Sequence, residues 1–281
     1  TESPVLIKNY LPTMNRSEIF LVMVSGMGTI AGSVMGTYIG MLGGTDPAAK
    51  VLFATHLLSA SVMAVPGSIV LAKMLCPQTE EATDHVAISG KEKENSNILD
   101  AISSGTVTGV KLMTNIAAML LVFISLVALA NYITEGVIGR YTGLNDWIVK
   151  ITDGKAQGLT FQFILGVITS PFMWLIGVPS QDIMLVGSLL GQKTILNEFV
   201  AYFQLQQWKD AGLFMYEKSI LMSTYILCGF ANISSIGILL GGLGVLAPEK
   251  RGLISRIGLP AMIGGALVSV LSATIIGMIL G

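Results

Sequence analysis

Residues 228–237, with the sequence CGFANISSIG, lie in the middle of a run of thirty residues, 219–248, that contains no charged side chain. Such a run is long enough to span a lipid bilayer as a helix. The glycine, asparagine and two serines at its centre weaken a helix or bond to its backbone. In hydrocarbon, a weakened turn is tolerated only beside protein or a water-filled cavity. The stretch fits either a broken helix at a transport site or a small-residue packing face between helices.

The composition of the chain indicates its class. Of its 281 residues, 52% are hydrophobic and only 12% are charged, whereas soluble domains carry about 25% charged residues. The mean hydropathy is +0.73. Six stretches have no Asp, Glu, Lys or Arg, and each is long enough for a membrane span: 19–45, 51–72, 112–134, 156–181, 219–248 and 257–281. The sequence therefore predicts an all-α, polytopic membrane protein.

Other global features narrow the possible partners. The net charge of −1 gives no sign of a nucleic-acid partner. Cys76 and Cys228 lack the spacing of a redox or metal motif, and His56 and His85 have no second ligand at metal-binding spacing. We expect buried cysteines rather than a disulfide, and no cofactor other than a coupling ion, Na⁺ or H⁺.

We divide the chain into three parts. The first, 1–75, would hold the second half of a re-entrant hairpin, a helix from Ser17 to about Leu42 that is interrupted within 26–34, and a further helix at 50–75. The second, 76–155, would hold a charged cytoplasmic loop, a scaffold span at 111–136 and a polar connection. The third, 156–281, would hold a second hairpin and the last two helices, 217–247 and 256–281.

The second hairpin is predicted from a turn and a polar arm. An uncharged half, 156–177, reaches the turn signal GVPSQD at 177–182. The following segment, 183–204, is too polar to face lipid, so it should return to the same side of the membrane. Four polar side chains in this segment would share one helical face: Thr194, Asn197, Glu198 and Tyr202.

The two interrupted helices resemble each other. GMGTIAG at 26–32 aligns with GFANISS at 229–235 as glycine, apolar, small, polar, isoleucine, small, small. Each follows a hairpin-like element with a carboxylate, Glu2 or Glu198, and each precedes one more apolar helix. One span between the copies would place them in opposite orientations, which is the inverted repeat of secondary transporters. A packing face would not explain the matching carboxylates.

The motifs resemble those of the concentrative nucleoside transporters. NEFVAY at 197–202 and GFANISSIG at 229–237 are similar to that family's most characteristic motifs, and Thr1-Glu2 resembles the end of its Gly-Gln-Thr-Glu motif. The resemblance covers the whole chain and implies three further helices and half a hairpin upstream. It also implies a homotrimer in the cytoplasmic membrane of a bacterium, importing nucleosides with Na⁺ or H⁺. Ser3 and Ser180-Gln181 depart from the family pattern.

The resemblance also implies a binding site. Substrate would contact seven residues: Thr1, Glu2, Val34, Glu198, Phe230, Asn232 and Ser235. Carboxylates accept hydrogen bonds from ribose hydroxyls, and asparagine can donate or accept. The flat face of a nucleobase suits Phe230 and Val34. The hydroxyl of Thr29 and the carbonyl of Ile30 are hard oxygen ligands suited to Na⁺. Asn232 could instead merely cap the interrupted helix.

Three other functions are compatible with parts of this pattern. A carrier for another small polar solute would use the same architecture. An intramembrane enzyme could use Glu2 and Glu198 as an acid–base pair, although no histidine, nucleophile or metal motif accompanies them. A structural membrane subunit would leave both hairpin carboxylates unexplained.

Overall fold

The computed structural model describes residue 7 and residues 10–80, 97–152, 154 and 156–281. Within this part of the chain all regular elements are helical. Its eleven α-helices of eight residues or more are numbered in chain order: α1 Arg16–Gly28, α2 Gly32–Gly43, α3 Pro47–Leu75, α4 Ile98–Asn131, α5 Leu144–Ile151, α6 Phe161–Leu175, α7 Ile183–Ile195, α8 Glu198–Asp210, α9 Glu217–Leu227, α10 Ile233–Leu246 and α11 Arg251–Ile279.

Two compact units make up the chain. The first contains Thr1–Val86 and Gln162–Gly281, and the second contains Ala87–Phe161. In the described residues, three helical segments are long and apolar enough to cross a membrane: Arg16–Gly43, Pro47–Leu75 and Pro248–Ile279. All three belong to the first unit, which also holds every described candidate site residue.

The first interrupted helix consists of α1 and α2, separated at Thr29–Ala31. The predicted interruption within 26–34 is therefore present. The predicted start at Ser17 is wrong, because the N-cap is Asn15: its side chain accepts from the Glu18 N–H, and the Glu18 carboxylate accepts from the Asn15 N–H. Such a capping box satisfies two N–H groups that the first turn leaves without helical partners. The Ser17 hydroxyl instead donates to the Cys76 carbonyl at 2.7 Å.

The second interrupted helix consists of α9 and α10, separated by residues 228–232. The helix predicted over 217–247, with an interruption at its centre, is thus present as two half-helices, as its central glycine, asparagine and serines indicate. From Leu221 onward α9 is buried, and so is most of the break at 228–232. A break enclosed by protein is the arrangement in which interrupted backbone is tolerated at membrane depth.

The second hairpin has its turn where the sequence predicts it, between α6 and α7. The two arms approach closely, because a Cβ added to Gly166 would lie 2.8 Å from the Met184 carbonyl oxygen. The fully buried Asp182 fastens the turn, since its carboxylate accepts from the N–H groups of Met215 and Tyr216 at 3.0 and 3.1 Å.

The expectation of one polar helical face over 183–204 is wrong. The helix stops at Ile195 because Leu196 adopts φ −93° and ψ −93°, outside the helical range. It restarts at Glu198 with Asn197 as N-cap, whose side chain accepts from the Val200 N–H at 2.9 Å. The hairpin's second arm is therefore itself broken, and Glu198 is the first residue of a new helix.

The two long helices α3 and α11 hold the first unit together. Each packs against both interrupted helices: α3 contacts α1, α2 and α9, and α11 contacts α1, α9 and α10. The two long helices also contact each other. Small residues allow the close approach, because a Cβ on Gly265 of α11 would lie 2.8 Å from the Met27 Cβ of α1.

The second unit contains α4 and α5, with a π-helical segment, Tyr132–Gly139, and one turn, Arg140–Thr142, between them. The predicted span at 111–136 thus lies within a longer helical segment that begins at Ile98. Asn145 ties the unit's end together: its side chain donates to the Glu135 carbonyl and accepts from the Leu159 N–H, both at 3.0 Å.

Candidate functional site

Glu198 and Asn232 meet at the second interruption. The Asn232 side-chain amide donates to Glu198 Oε2 at 2.9 Å. Glu198 is 8% exposed and Asn232 is fully buried. The two residues are 34 positions apart and come together because the restarted hairpin arm α8 packs against α9. A buried carboxylate is costly unless it is hydrogen-bonded, so this contact accounts for part of its stabilisation.

Asn232 also caps the half-helix α10. Its side-chain oxygen accepts from the Ser235 N–H at 2.8 Å and from the Ser234 hydroxyl at 2.6 Å. The Asn232 N–H in turn donates to the Ser235 hydroxyl oxygen at 3.2 Å, completing a capping box. Capping and the contact with Glu198 use opposite ends of one amide. The asparagine is therefore held in a single orientation, with its donor side toward the carboxylate.

The two interruptions lie against each other. A Cβ added to Gly229 would lie 3.1 and 3.2 Å from the carbonyl oxygens of Gly28 and Met27. The Ser235 hydroxyl is 3.3 Å from the Met27 sulfur. Glycine is required at 229 by this close approach of backbone to backbone. The candidate residues of both broken helices consequently share one region of the fold.

The first interruption carries the candidate ion ligands. Thr29, Ile30 and Val34 are all half-buried there. The Thr29 hydroxyl donates to the Ser25 carbonyl at 2.9 Å, which leaves the lone pairs of its oxygen for a ligand. Ile30 and Val34 pack against the core cluster that contains Tyr38 and Tyr202.

The remaining candidates divide into two groups. Phe230 is half-buried, within the second interruption and two residues before Asn232. Thr1 and Glu2 lie outside the described residues. The structure thus brings three of the candidates together, since Asn232 contacts both Glu198 and Ser235. Phe230 lies two residues before Asn232 in the chain.

Two further residues were missed as site candidates. Tyr38 of α2 stacks on Tyr202 with ring centroids 4.1 Å apart, and its ring is 6.1 Å from that of Phe199. Its hydroxyl is buried and has no hydrogen-bond partner in the described part of the chain. Lys193 is fully buried at the end of α7. Its charge among the mostly apolar residues of α7 was the signal in the sequence.

Comparison with known proteins identifies the class. Residues 56–277 match the family model described as the C-terminus of Na⁺-dependent nucleoside transporters. This match is to a family of membrane transporters, and the long apolar helices of the chain agree with it. The chain belongs to the Na⁺-dependent nucleoside transporter family, which confirms the family predicted from its motifs. Because this is a family of transporters, the intramembrane-enzyme alternative is set aside.

The relatives that this chain matches are longer than the chain itself. It is 39% identical to an uncharacterized transporter of Haemophilus influenzae, over 100% of this chain and 63% of that protein. It is 39% identical to sodium/nucleoside cotransporter 1 of Rattus norvegicus, over 99% of this chain and 42% of that protein. It is 38% identical to nucleoside permease NupC of Helicobacter pylori, over 100% and 62%. The chain thus spans between 42% and 63% of the length of these relatives.

Solved transporter structures share the fold. This chain superposes on an inward-facing, substrate-bound state of CNTnw with a TM-score of 0.83 at 36% identity. The match covers 99% of this chain and 60% of the CNTnw chain. An intermediate state of a CNTnw variant gives a TM-score of 0.85 at the same identity, covering 99% and 62%. At this identity the likeness extends to sequence as well as fold.

Proposed function

We propose that this chain forms the substrate-translocating part of an ion-coupled carrier that takes up nucleosides by alternating access. The observation that carries the proposal is the contact between Glu198 and Asn232 at 2.9 Å. It places a buried carboxylate and an oriented amide at a broken helix, which is where secondary transporters bind their substrates. Relatives named as nucleoside carriers support the choice of substrate.

The chemistry of the site suits a nucleoside. A carboxylate offers about four acceptor positions, and Asn232 occupies one of them. A ribose presents two neighbouring hydroxyl donors, so Glu198 is proposed to accept from the sugar. Phe230 and Val34 are proposed to contact the base, while Ser235 adds a hydroxyl. Thr1 and Glu2 complete the proposed site from the first hairpin.

The coupling ion is proposed to be Na⁺, bound at the first interruption. The Thr29 hydroxyl oxygen and the Ile30 carbonyl are hard ligands on non-helical backbone. Relatives named as sodium/nucleoside cotransporters support this choice over H⁺.

The proposed transport movement relies on an inverted repeat of hairpin, broken helix and helix, with parts at 1–75 and 156–281. Its support is the reciprocal packing of α3 and α11, each of which contacts its own broken helix and the other one. The segment 76–155 is proposed to form the scaffold of a homotrimer. Light scattering of the full-length protein in mild detergent measures that assembly.

A counterflow assay tests the function. The full-length protein is reconstituted in liposomes preloaded with a nucleoside, and labelled uridine and adenosine are supplied in Na⁺ or in choline. We expect uptake of the unaltered label, faster in Na⁺. If a proton gradient in choline drives uptake as fast as Na⁺ does, the assignment of Na⁺ as the coupling ion is contradicted, while the nucleoside assignment stands. Failure to exchange any nucleoside, with exchange of a different polar solute, would contradict the substrate assignment.

A further inference from the structure

Lys193 is buried without any exposed surface, in the last turn of α7. An ammonium group inside a membrane protein is costly unless it is paired and hydrogen-bonded. Its Nζ donates to the Ile226 carbonyl at 2.7 Å and to the Ser269 hydroxyl at 3.0 Å. Both acceptors are neutral, so they satisfy donors but supply no negative charge. The nucleoside site proposed above assigns this lysine no role.

The Ile226 carbonyl is one of the four, residues 224–227, that end the half-helix α9. Backbone N–H groups of Cys228 and Gly229 bond the other three. The Ile226 carbonyl is therefore the place where Lys193 takes part in capping the helix. Positive charge is favoured at a helix C-terminus, where the partial charge of the backbone is negative. Lys193 thus stabilises the backbone immediately before the interruption.

Glu198 acts at the other side of the same interruption. It bonds Asn232, which caps α10 immediately after the break. Lys193 and Glu198 carry opposite charges, both side chains are buried, and they are separated along the chain only by the short break between α7 and α8. One cation and one anion from the hairpin therefore hold the two ends of a single interrupted helix.

We propose that Lys193 is a positioning residue of the substrate site: as the counter-charge of Glu198, it sets the separation of α9 and α10 and so aims Asn232 and the carboxylate at the substrate. The inference rests on the proposed role of Glu198 in nucleoside binding. It differs from a role in packing alone, because the effect of Lys193 then depends on the charge at residue 198.

A double-mutant cycle tests this dependence. Lys193→Met keeps an unbranched side chain only one atom shorter and removes its charge. It is made in the wild type and in Glu198→Gln. Binding of uridine and of adenosine to the full-length protein is measured by calorimetry. In the wild type we expect the Kd to rise about tenfold, equivalent to about 1.4 kcal/mol. In Glu198→Gln we expect less than about a threefold rise, because the carboxylate that lost its counter-charge is gone.

Ser269→Ala is the matched control. It removes the neutral partner of the same ammonium and leaves the charge, so we expect the Kd to change by less than about threefold. An equal rise of the Kd from Lys193→Met in both backgrounds would overturn the proposal and leave the lysine a packing role. No rise in the wild type would overturn it as well.

Folding gives a second measurement. If Lys193→Met cannot be purified but the double variant with Glu198→Gln can, the counter-charge is supported by stability itself. If neither can be purified while Glu198→Gln can, Lys193 is needed regardless of Glu198 and the proposal is wrong. Glu198→Gln alone reports on the proposed function: if it binds nucleosides as the wild type does, the substrate site is misassigned whatever the cycle shows.

Discussion

At the interruption between α9 and α10, Asn232 caps the following half-helix and donates to Glu198, whereas at the interruption between α1 and α2 the cap position is Ala31, whose side chain makes no such bond. The second interruption is five residues long and mostly buried; the first is three residues long and half-buried. The second break is thus completed by polar side chains that cap α10, whereas within the described residues no side chain caps α2 at the first break.

The aligned motifs explain the difference. Thr29 and Asn232 are aligned in the two motifs, but the Thr29 hydroxyl bonds the Ser25 carbonyl at the C-terminus of α1, whereas Asn232 is the N-cap of α10. Threonine commonly bonds the carbonyl four residues earlier, and asparagine favours the N-cap. The aligned polar side chain thus bonds the half-helix before the first break and the half-helix after the second. Under our proposal, the completed break binds substrate and the other uses an ion as its missing partner.

The largest effect is expected from Glu198→Gln, which removes the charge at the completed break. A hydrogen bond to a charged group contributes about 1.5–3 kcal/mol, so ribonucleoside binding should weaken by roughly one to two decades. Deoxynucleosides that lack the 2′- or 3′-hydroxyl should lose less affinity on mutation, because they have one fewer hydroxyl that donates to Glu198. Calorimetry with uridine and its deoxy analogues measures the difference.

Glu217→Gln is the matched control for Glu198→Gln. Glu217 is also the first residue of a helix, α9, but it is exposed. Its substitution should leave nucleoside affinity unchanged. Equal weakening for ribo- and deoxynucleosides in Glu198→Gln would show that the carboxylate does not accept from the sugar.

The contact between the two breaks is tested by Gly229→Ala. The new Cβ would lie 2.5 Å from the Ser269 hydroxyl and 3.1 Å from the Gly28 carbonyl. The hydroxyl can rotate away, but the backbone cannot. Overpacking should therefore lower the free energy of unfolding by about 1–3 kcal/mol. Thermal unfolding in detergent should show a lowered midpoint.

Gly237→Ala provides the comparison for Gly229→Ala. Among the described residues, no heavy atom lies within 4 Å of a Cβ at that position of α10. Alanine is the better helix former by about 1 kcal/mol, so the midpoint should rise slightly. If both variants unfold at the same temperature, the two interruptions do not pack as described.

Much of the architecture follows from local patterns in the sequence. The uncharged stretches predict the long helices, and the turn signal GVPSQD at 177–182 predicts the hairpin, because both signals are local in the sequence. The prediction of one continuous polar face over 183–204 was wrong for a physical reason. Spacings of three and four residues look the same whether a helix is continuous or restarts, so the N-cap role of Asn197 was hidden by the periodicity of Glu198 and Tyr202.

The candidate site was less accessible to sequence reasoning. Glu198 and Asn232 stand out as polar groups in apolar surroundings, which is a signal of function by itself. Their contact, however, joins positions 34 apart, and the acceptors of Lys193 lie 33 and 76 positions away. Long-range partners depend on how α7, α9 and α11 pack, which local patterns do not encode.

At the uncapped break, Thr29→Val should weaken the response to sodium. The substitution keeps the branched shape and removes one neutral oxygen ligand, for which about 0.5–1.5 kcal/mol is expected. The Na⁺ concentration for half-maximal uptake should rise by about two- to tenfold, with a smaller change in maximal rate. Thr55→Val is the control, because Thr55 makes the same bond to the carbonyl four residues earlier on the exposed face of α3. An unchanged sodium response would place the ion elsewhere or favour H⁺.

The smallest effect is expected from giving the first break the cap that it lacks, by Ala31→Ser. Ala31 has φ −71° and ψ 132°, an extended conformation suitable for an N-cap. A serine hydroxyl could accept from an N–H in the first turn of α2, adding about 0.5–1 kcal/mol. The unfolding midpoint should therefore rise by about 1–3 °C, since a domain of this size shifts by a few degrees per kcal/mol.

Transport separates the effect of this cap from ordinary stabilisation. If the first break must rearrange around the ion, a completed cap should slow uptake at saturating Na⁺ while the unfolding midpoint rises. Ala54→Ser, equally half-buried but inside α3, provides no cap and should do neither. A higher midpoint with unchanged uptake would show that the first break is as rigid as the second during transport, and the contrast between them would then be one of composition rather than of function.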